Sequence, residues 1–362
     1  MSDIVYVMNV DWNWIKQRPH FIAERLQGKY YVHVMYQHRY GREGFQKRVP
    51  DKIDVKPIYV IPRGDRFALG SKINRWIKNR SIISAINRTK AKYLYLTFPD
   101  QAGAIPNDFK GAVIYDCMDN HPAFIDDYKK RNEMISMEKQ MVTRANIILA
   151  SSENLISVLL DRFGNIINNK IHLIRNGYNG SIVDVQETIP LKVLDKFTFT
   201  YLGTVSSWFN FDYIIKSLED FPSIQYEIFG PVARVSIPKH DRVIYRGTVE
   251  HDQLLQNVKD SDCLIMPFMV NEIIESVDPV KLYEYINFNK NILCCEYKEI
   301  RRFEPFVNFY SDYSSYRTCI QNLLDSRGKI KYSQKNRNEF LIDNNWDARV
   351  DDVERLIESG GV

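Results

Sequence analysis

Short apolar runs rich in β-branched and aromatic residues alternate twice over with helix-length segments, and this constrains the chain's fold more than any other feature. The first series reads IVYVMNV, YVHVMYQ, KYLYLTF, AVIYDCM, NIILASS and IHLIRNG; the second reads FTFTYLGTV, IQYEIFG, RVIYRGTV, CLIMPFM and NILCCEY. Such alternation builds parallel sheets with helices on their faces, so the expected class is α/β with two Rossmann-like, doubly wound domains. Residues 124–145 read as one long amphipathic helix, and HDQLLQNVKDS and PVKLYEYINF as helices of the second domain. Between the series lies SIVDVQETIPLKVLDK, which lacks a long period and carries Pro190, and it is the expected linker. The expected domains are therefore 1–182 and 183–339. The closing segment 335–359 carries apolar residues at helical spacing and either caps the second domain or, from about 340 to 362, packs back on the first. Open sheets of this type bind ligands outside the carboxyl ends of their strands, which points to a cleft between the domains.

A chain of 362 residues that is 44% apolar and 26% charged buries a large core, which excludes a disordered or fibrous protein. No window holds 18 uninterrupted apolar residues, and the first residues lack the basic and apolar regions of a secretory signal, so a cytoplasmic protein is expected. The five cysteines form no CxxC pair, and four lie in strand-like runs, so buried thiols are expected rather than disulfides or zinc. The net charge of +4 is uneven: residues 39–92 hold fifteen Lys and Arg against four acids. Within that stretch, Lys72, Arg75, Lys78 and Arg80 surround Ile73, Trp76, Ile77 and Ile83. Residues 72–83 therefore read as a peripheral contact with an anionic membrane or as a core-facing helix with a basic outer face. No nucleic-acid motif is present, and nucleic acid is not an expected partner.

The segment SVDPVKLYEYINFNKNIL, residues 276–293, follows the apolar strand CLIMPFM and an acidic loop. Pro279 suits the first turn of a helix whose free amides, beginning at Val280, can receive a diphosphate, with Lys281 adding positive charge. Glu284 lies three residues on, on the same side, where a carboxylate can accept the hydroxyls of a ribose. The alternative is a surface helix with an i, i+3 ion pair. In TYLGTVSSWFNFDYI, Gly203 permits close backbone approach and Thr204 offers donors. Gly230 and Gly247 end strand-like runs. Asp260 and Asp262 form a DxD at the amino end of a strand, away from the expected cleft, so no metal is expected.

The order strand, Pro-Phe, acidic loop, DPVKLYEYINFNKNIL resembles the donor-binding signature of GT-B glycosyltransferases of family 4. Glu284 matches that signature's ribose-binding Glu. Asn289 and Asn291 stand where the family has Gly and Pro, and Glu275 is nine residues before Glu284 where the family usually has eight. The Arg and Lys that the family often places near Gly203 are absent, which shifts phosphate charge to Lys281 or Arg175. Gly230 and Gly247 resemble the loops flanking the nucleotide base. In the first domain, DWNWIKQRPHFIAERL resembles the QRPH element of a bacterial teichuronic-acid and exopolysaccharide subgroup, with Arg18 and His20 at a helix mouth. The alternative for both is capping and salt bridging. AVIYDCMDNHPAF ends in Asp116, Asp119, Asn120 and His121, and similar strand ends occur on the subgroup's acceptor pocket; Asp119 is the expected base, the alternative being a helix cap. The resemblance implies a metal-independent hexosyltransferase without cofactor. Its substrate would be a nucleotide-diphosphate sugar, UDP-sugar foremost, and its acceptor a glycan or lipid-linked glycan of the cell surface, met at the inner face of the membrane. A nucleotide-sugar epimerase and a non-catalytic glycan-assembly subunit are the rival functions.

Overall fold

The computed structural model describes residues 1–14, 16–40, 53–184, 196–249 and 253–359. The chain divides into two compact units, Met1–Asn176 together with Trp346–Val362, and Gly177–Asn345. The join therefore falls at 176/177, six residues before the boundary expected from sequence. Most of the expected linker, 185–195, lies outside the described residues, as do Arg42, Lys47, Arg48 and Lys52 of the basic stretch.

The first unit runs β1 (Ser2–Met8), α1 (Arg18–Leu26), β2 (Tyr30–Gln37), β3 (Asp54–Ile58), α2 (Ala68–Thr89), β4 (Tyr93–Leu96) and β5 (Ala112–Cys117). It continues through α3 (Tyr128–Arg144), β6 (Ile147–Ala150), α4 (Glu153–Phe163) and β7 (Ile171–Leu173). The strands pair in parallel in the order β3-β2-β1-β4-β5-β6-β7, with Met8 opposite Tyr36 and Val7 opposite Leu96. The order reverses between β1 and β4, which opens a crevice outside their carboxyl ends. β1 is buried on both faces, as its unbroken apolar run requires. Val5 and Val7 pack with Ile82, Ala85 and Ile86 of α2 on one face, whereas Ile4, Tyr6 and Met8 pack with Ile22 and Leu26 of α1 on the other.

The second unit runs β8 (Phe197–Leu202), α5 (Phe211–Asp220), β9 (Ile224–Phe229), β10 (Val243–Gly247), α6 (Leu254–Asn257), β11 (Cys263–Met266) and α7 (Val280–Asn287). β12 (Asn291–Cys295), β13 (Asn308–Tyr310), α8 (Tyr313–Asp325) and α9 (Gln334–Asp343) complete it. Its parallel order, β10-β9-β8-β11-β12-β13, reverses between β8 and β11.

The closing segment splits in two. Leu341 of α9 lies in the core of the second unit, while α10 (Trp346–Ser359) inserts Trp346, Val350, Val353 and Ile357 into the first. Two edge strands escaped the sequence patterns: β3 reads DVKPI, too polar and Pro-bearing for an apolar run, and β13 has three residues. The helix expected from 124 starts at Tyr128, because Asp127 caps it by accepting from the Lys130 amide at 2.8 Å, and 121–124 form a 3-10 turn. Of HDQLLQNVKDS, α6 retains one turn. All five cysteines are free thiols, four of them buried. Among the described residues no helix is long and apolar enough to cross a membrane.

Trp346 is fully buried and stacks on Phe21 of α1 at 5.2 Å between centroids. Trp346→Ala is expected to lower stability by about 3–5 kcal/mol, read by denaturant unfolding.

Candidate functional site

In the second unit the strand ends around the β8/β11 reversal are lined by backbone. Gly203 follows β8 with φ 137°, Gly230 follows β9 with φ 131°, and Gly247 ends β10 with φ 81°. These are left-handed conformations that glycine accepts without strain. The Gly203 amide donates to the Phe229 carbonyl and the Gly230 amide to the Gly247 carbonyl, each at 2.8 Å, so the three turns form one rim. A Cβ at 230 would overlap the Gly203 carbonyl, and a Cβ at 203 would overlap Cε of Lys281. The lysine thus crosses the end of β8 at a spot where no side chain fits. Its Nζ stands 6.0 Å from the ring centroid of Tyr201, whose hydroxyl donates to the Thr204 carbonyl at 2.8 Å.

α7 delivers Lys281 to this rim, with Glu284 three residues further along the helix. Pro279 is the extended N-cap rather than the first helical residue, and the Leu282 amide already closes onto its carbonyl at 3.1 Å. The amides of Val280 and Lys281 are the ones the helix itself cannot pair. The approach is held by Asp278, which is buried and takes Arg302 at 2.5 Å and the Tyr283 hydroxyl at 3.2 Å. Burial pushes the Lys281 ammonium down while Glu284 pulls the other way, so this is a cation short of counter-charge. Glu284 also bears on Tyr178, whose hydroxyl is pushed up to about 12 by burial first and by that carboxylate second. Glu275 sits exposed on the 3-10 turn Ile274–Ser276 that precedes α7. Asp262 accepts from the Thr198 amide at 2.8 Å, at the amino end of β8.

The first unit corrects four expectations. Arg18 is not open at the helix mouth: it is 4% exposed, and its Nε donates to both carboxylate oxygens of Asp116 at 3.0 Å. Its Nη1 donates to the carbonyls of Ile174 at 2.7 Å and Arg175 at 3.2 Å. Burial alone would lower the guanidinium's pKa, but Asp116 outweighs it and the net direction is up. Asp116, fully buried, also accepts from the Tyr95 hydroxyl at 3.0 Å, so neither partner is open to a substrate. His20 is buried too. Its Nδ1 accepts from the Gln17 amide at 3.2 Å, which leaves the proton on Nε2 to reach the Trp12 carbonyl at 3.1 Å. Arg175, expected as a phosphate ligand, pairs with Glu153 of α4 at 2.7 Å.

Two groups just past β5 differ from this closed network. Asp119 is half-buried, and burial pushes its carboxyl up to about 6; Arg18 opposes that shift and Asp116 adds to it. His121 follows it, its ring 4.7 Å from that of Phe98 at the end of β4. Its Nε2 is buried without a hydrogen-bond partner among the described residues, and burial followed by Arg162 pushes the imidazole down to about 4. A carboxyl pushed up to about 6 can take up and release a proton, and the neutral imidazole two residues on adds no positive charge that would lower it. Sequence alone named the stretch around His121 but gave the residue no role, because the signal is the orphaned nitrogen.

No family model matches the chain, and no curated protein matches it. Solved structures match over almost its whole length. Sucrose-phosphate synthase from Thermosynechococcus elongatus superposes with a TM-score of 0.71 at 12% identity, covering 99% of each chain. The fold is GT-B. Lipopolysaccharide outer core galactosyltransferase WaaB, in its apo form, gives 0.69 at 12% identity over 99% of each chain. A trehalose-6-phosphate structure from E. coli bound with UDP-2-fluoro glucose gives 0.69 at 9%, covering 98% of this chain and 99% of that one. The two Rossmann-like units of the GT-B fold are the two sheets above, each with its own order reversal. Of the expected site residues, the second unit groups Gly203, Thr204, Gly247, Pro279, Val280, Lys281 and Glu284 with the end of its sheet; the first unit leaves Asp119 accessible and closes Arg18, His20 and Asp116 in.

Arg18→Met is expected to cost about 3–5 kcal/mol, because it strands a buried carboxylate, and adding Asp116→Leu should recover most of the loss. Asp119 binds its proton more tightly folded than unfolded, so wild-type stability should fall as pH rises from 3.8 to about 6. Asp119→Asn should remove that slope, as read by urea midpoints across the range.

Proposed function

We propose that this chain is a glycosyltransferase, similar to family 4 and its QRPH-containing subgroup. It would transfer a sugar from a nucleotide-diphosphate donor, UDP-sugar foremost, to a glycan or lipid-linked glycan in cell-surface polysaccharide synthesis. The observation that carries this reading is the partly desolvated ammonium of Lys281, laid over bare backbone at Gly203 with Glu284 one turn further along α7. The lysine and the amides of Val280 and Lys281 take the diphosphate, as helix N-termini do, so the phosphate charge falls on the chain itself rather than on a metal. Glu284 accepts the ribose hydroxyls, and Gly203, Gly230 and Gly247 leave room for the nucleotide against the backbone. Thr204 borders the diphosphate and Glu275 reaches toward the donor sugar. The nucleotide sugar is consumed as substrate, and no cofactor enters. UDP-2-fluoro glucose in the E. coli neighbour supports the choice of UDP.

On the first unit we assign Asp119 as the group that receives the acceptor's proton. The acceptor oxygen bonds to the anomeric carbon, the bond from that carbon to the diphosphate breaks, and UDP leaves with its electron pair. A carboxyl poised near pH 6 is mostly ionised at neutral pH yet basic enough to be useful. His121, kept neutral by burial, donates its backbone amide to the Asp119 carbonyl at 2.8 Å and so holds the turn that carries the base. The reaction belongs in the cytoplasm, at the inner face of the membrane.

UDP should raise the melting temperature of the wild type, since it binds the folded state. Glu284→Ala and Lys281→Ala should abolish that rise, whereas Asp119→Asn should keep it and lose transfer by roughly 100-fold or more. Unchanged UDP stabilisation in Glu284→Ala would overturn the ribose assignment.

A further inference from the structure

The first unit carries a surface that its own core leaves uncovered. Tyr59, Ile61, Phe67, Leu69, Ile73 and Trp76 are all exposed, with Phe67 at 72%, Leu69 at 71% and Trp76 at 59%. They lie on the turn after β3 and the first turns of α2. This differs from the face expected at 72–83, because α2 turns Ile82, Ala85 and Ile86 into the core and packs Ile77 against it. The outward apolar residues sit at the start of the helix and just before it.

The surface is held in shape. Asn74, 1% exposed, accepts from the Ile61 amide at 2.9 Å and donates to the Ile61 carbonyl at 3.2 Å and to Asp65 at 3.0 Å. Gly70 lies so close to Gly64 that a Cβ there would overlap the Gly64 carbonyl, so the turn and the helix meet backbone to backbone. Charge follows the apolar residues closely. Arg63, Arg66, Lys72 and Arg75 belong to the same turn and helix, and the Arg80 guanidinium lies 5.6 Å from the Trp76 ring centroid. Asp65 is the one acid between 59 and 80, and it is bonded to Asn74.

We propose that this surface docks the chain on a phospholipid bilayer rich in anionic headgroups. Apolar and aromatic side chains ringed by Arg and Lys match the boundary between acyl chains and negative headgroups. A second copy presenting the same surface would bring five cations against five. The location deepens the function proposed above and rests on it for the acceptor's class. α2 runs on from Trp76 to Lys78, Asn79 and Ile82, which line a small pocket with Val7, Met8 and Asn9 at the carboxyl end of β1. At 1.5 Å per residue, Asn79 is only about 4.5 Å further along the axis than Trp76. A bilayer under this surface thus lies next to the crevice of the first sheet, which suits an acceptor whose glycan is carried on a membrane lipid.

The test is co-sedimentation of the full chain with vesicles of phosphatidylcholine alone or mixed with phosphatidylglycerol. Binding is expected to the mixed vesicles, weakly to the neutral ones, and to decline as salt rises. The triple substitution Phe67→Ser, Leu69→Ser, Trp76→Ser should weaken it by roughly tenfold or more, and so should Arg66→Glu with Lys72→Glu; both proteins should keep their melting temperature and its rise with UDP. Wild type left in the supernatant, or triple-variant binding equal to wild type, overturns the proposal. So does a concentration-dependent dimer that the triple substitution abolishes, since the occupant would then be a second copy. Loss of UDP stabilisation in the wild type would count against the donor site and leave the vesicle result standing.

Discussion

Lys281 reaches across the end of β8 because position 203 has no side chain, and Gly203 sits against Gly230 because position 230 has none either. That pair of close approaches defines the end of the second unit where we place the donor. It brings a cation to a rim made of peptide groups, with positive φ at each turn. The supporting parts follow from it. Asp278 and Arg302 fix where α7 begins, and α7 in turn fixes which residues face the rim. A buried ion pair contributes little net stability but is expensive to break, which suits a part whose role is placement.

The first unit solves a different problem. Its carboxyl end gathers polar groups from distant parts of the chain, and most of them satisfy one another. Arg18 ties α1 to β5 through Asp116 and to the segment after β7 through the Ile174 carbonyl. His20 and Gln17 close the mouth of α1, and Asp11 pins the preceding loop by accepting from the amides of Asn13 and Arg39. Against that closed background, the orphaned Nε2 of His121 and the half-buried carboxyl of Asp119 stand out.

Much of this was legible in the sequence. Interior strands declare themselves because burial on both faces demands unbroken apolar runs, and the fold class follows from how those runs are spaced. The proposed α7 site was read from the sequence for a similar reason: Lys281 and Glu284 are three residues apart, and helical geometry fixes their common side. Long-range pairing was not. Arg18 and Asp116 are 98 positions apart, and no local pattern distinguishes a guanidinium that faces a ligand from one that faces a buried carboxylate. The place where α10 joins the first unit was equally hidden, since an apolar stripe states that a helix packs but not on what. β3 and β13 escaped because edge strands lack the pattern that burial imposes.

The central claim is that the end of β8 and the start of α7 form a nucleotide diphosphate site. Titrating isotope-labelled protein with UDP and following backbone amide resonances tests it directly. The account predicts the largest shifts at Gly203, Thr204, Gly230, Val280 and Lys281, with the amino ends of the same strands undisturbed. Shifts confined to the first unit, or absent throughout, would contradict it.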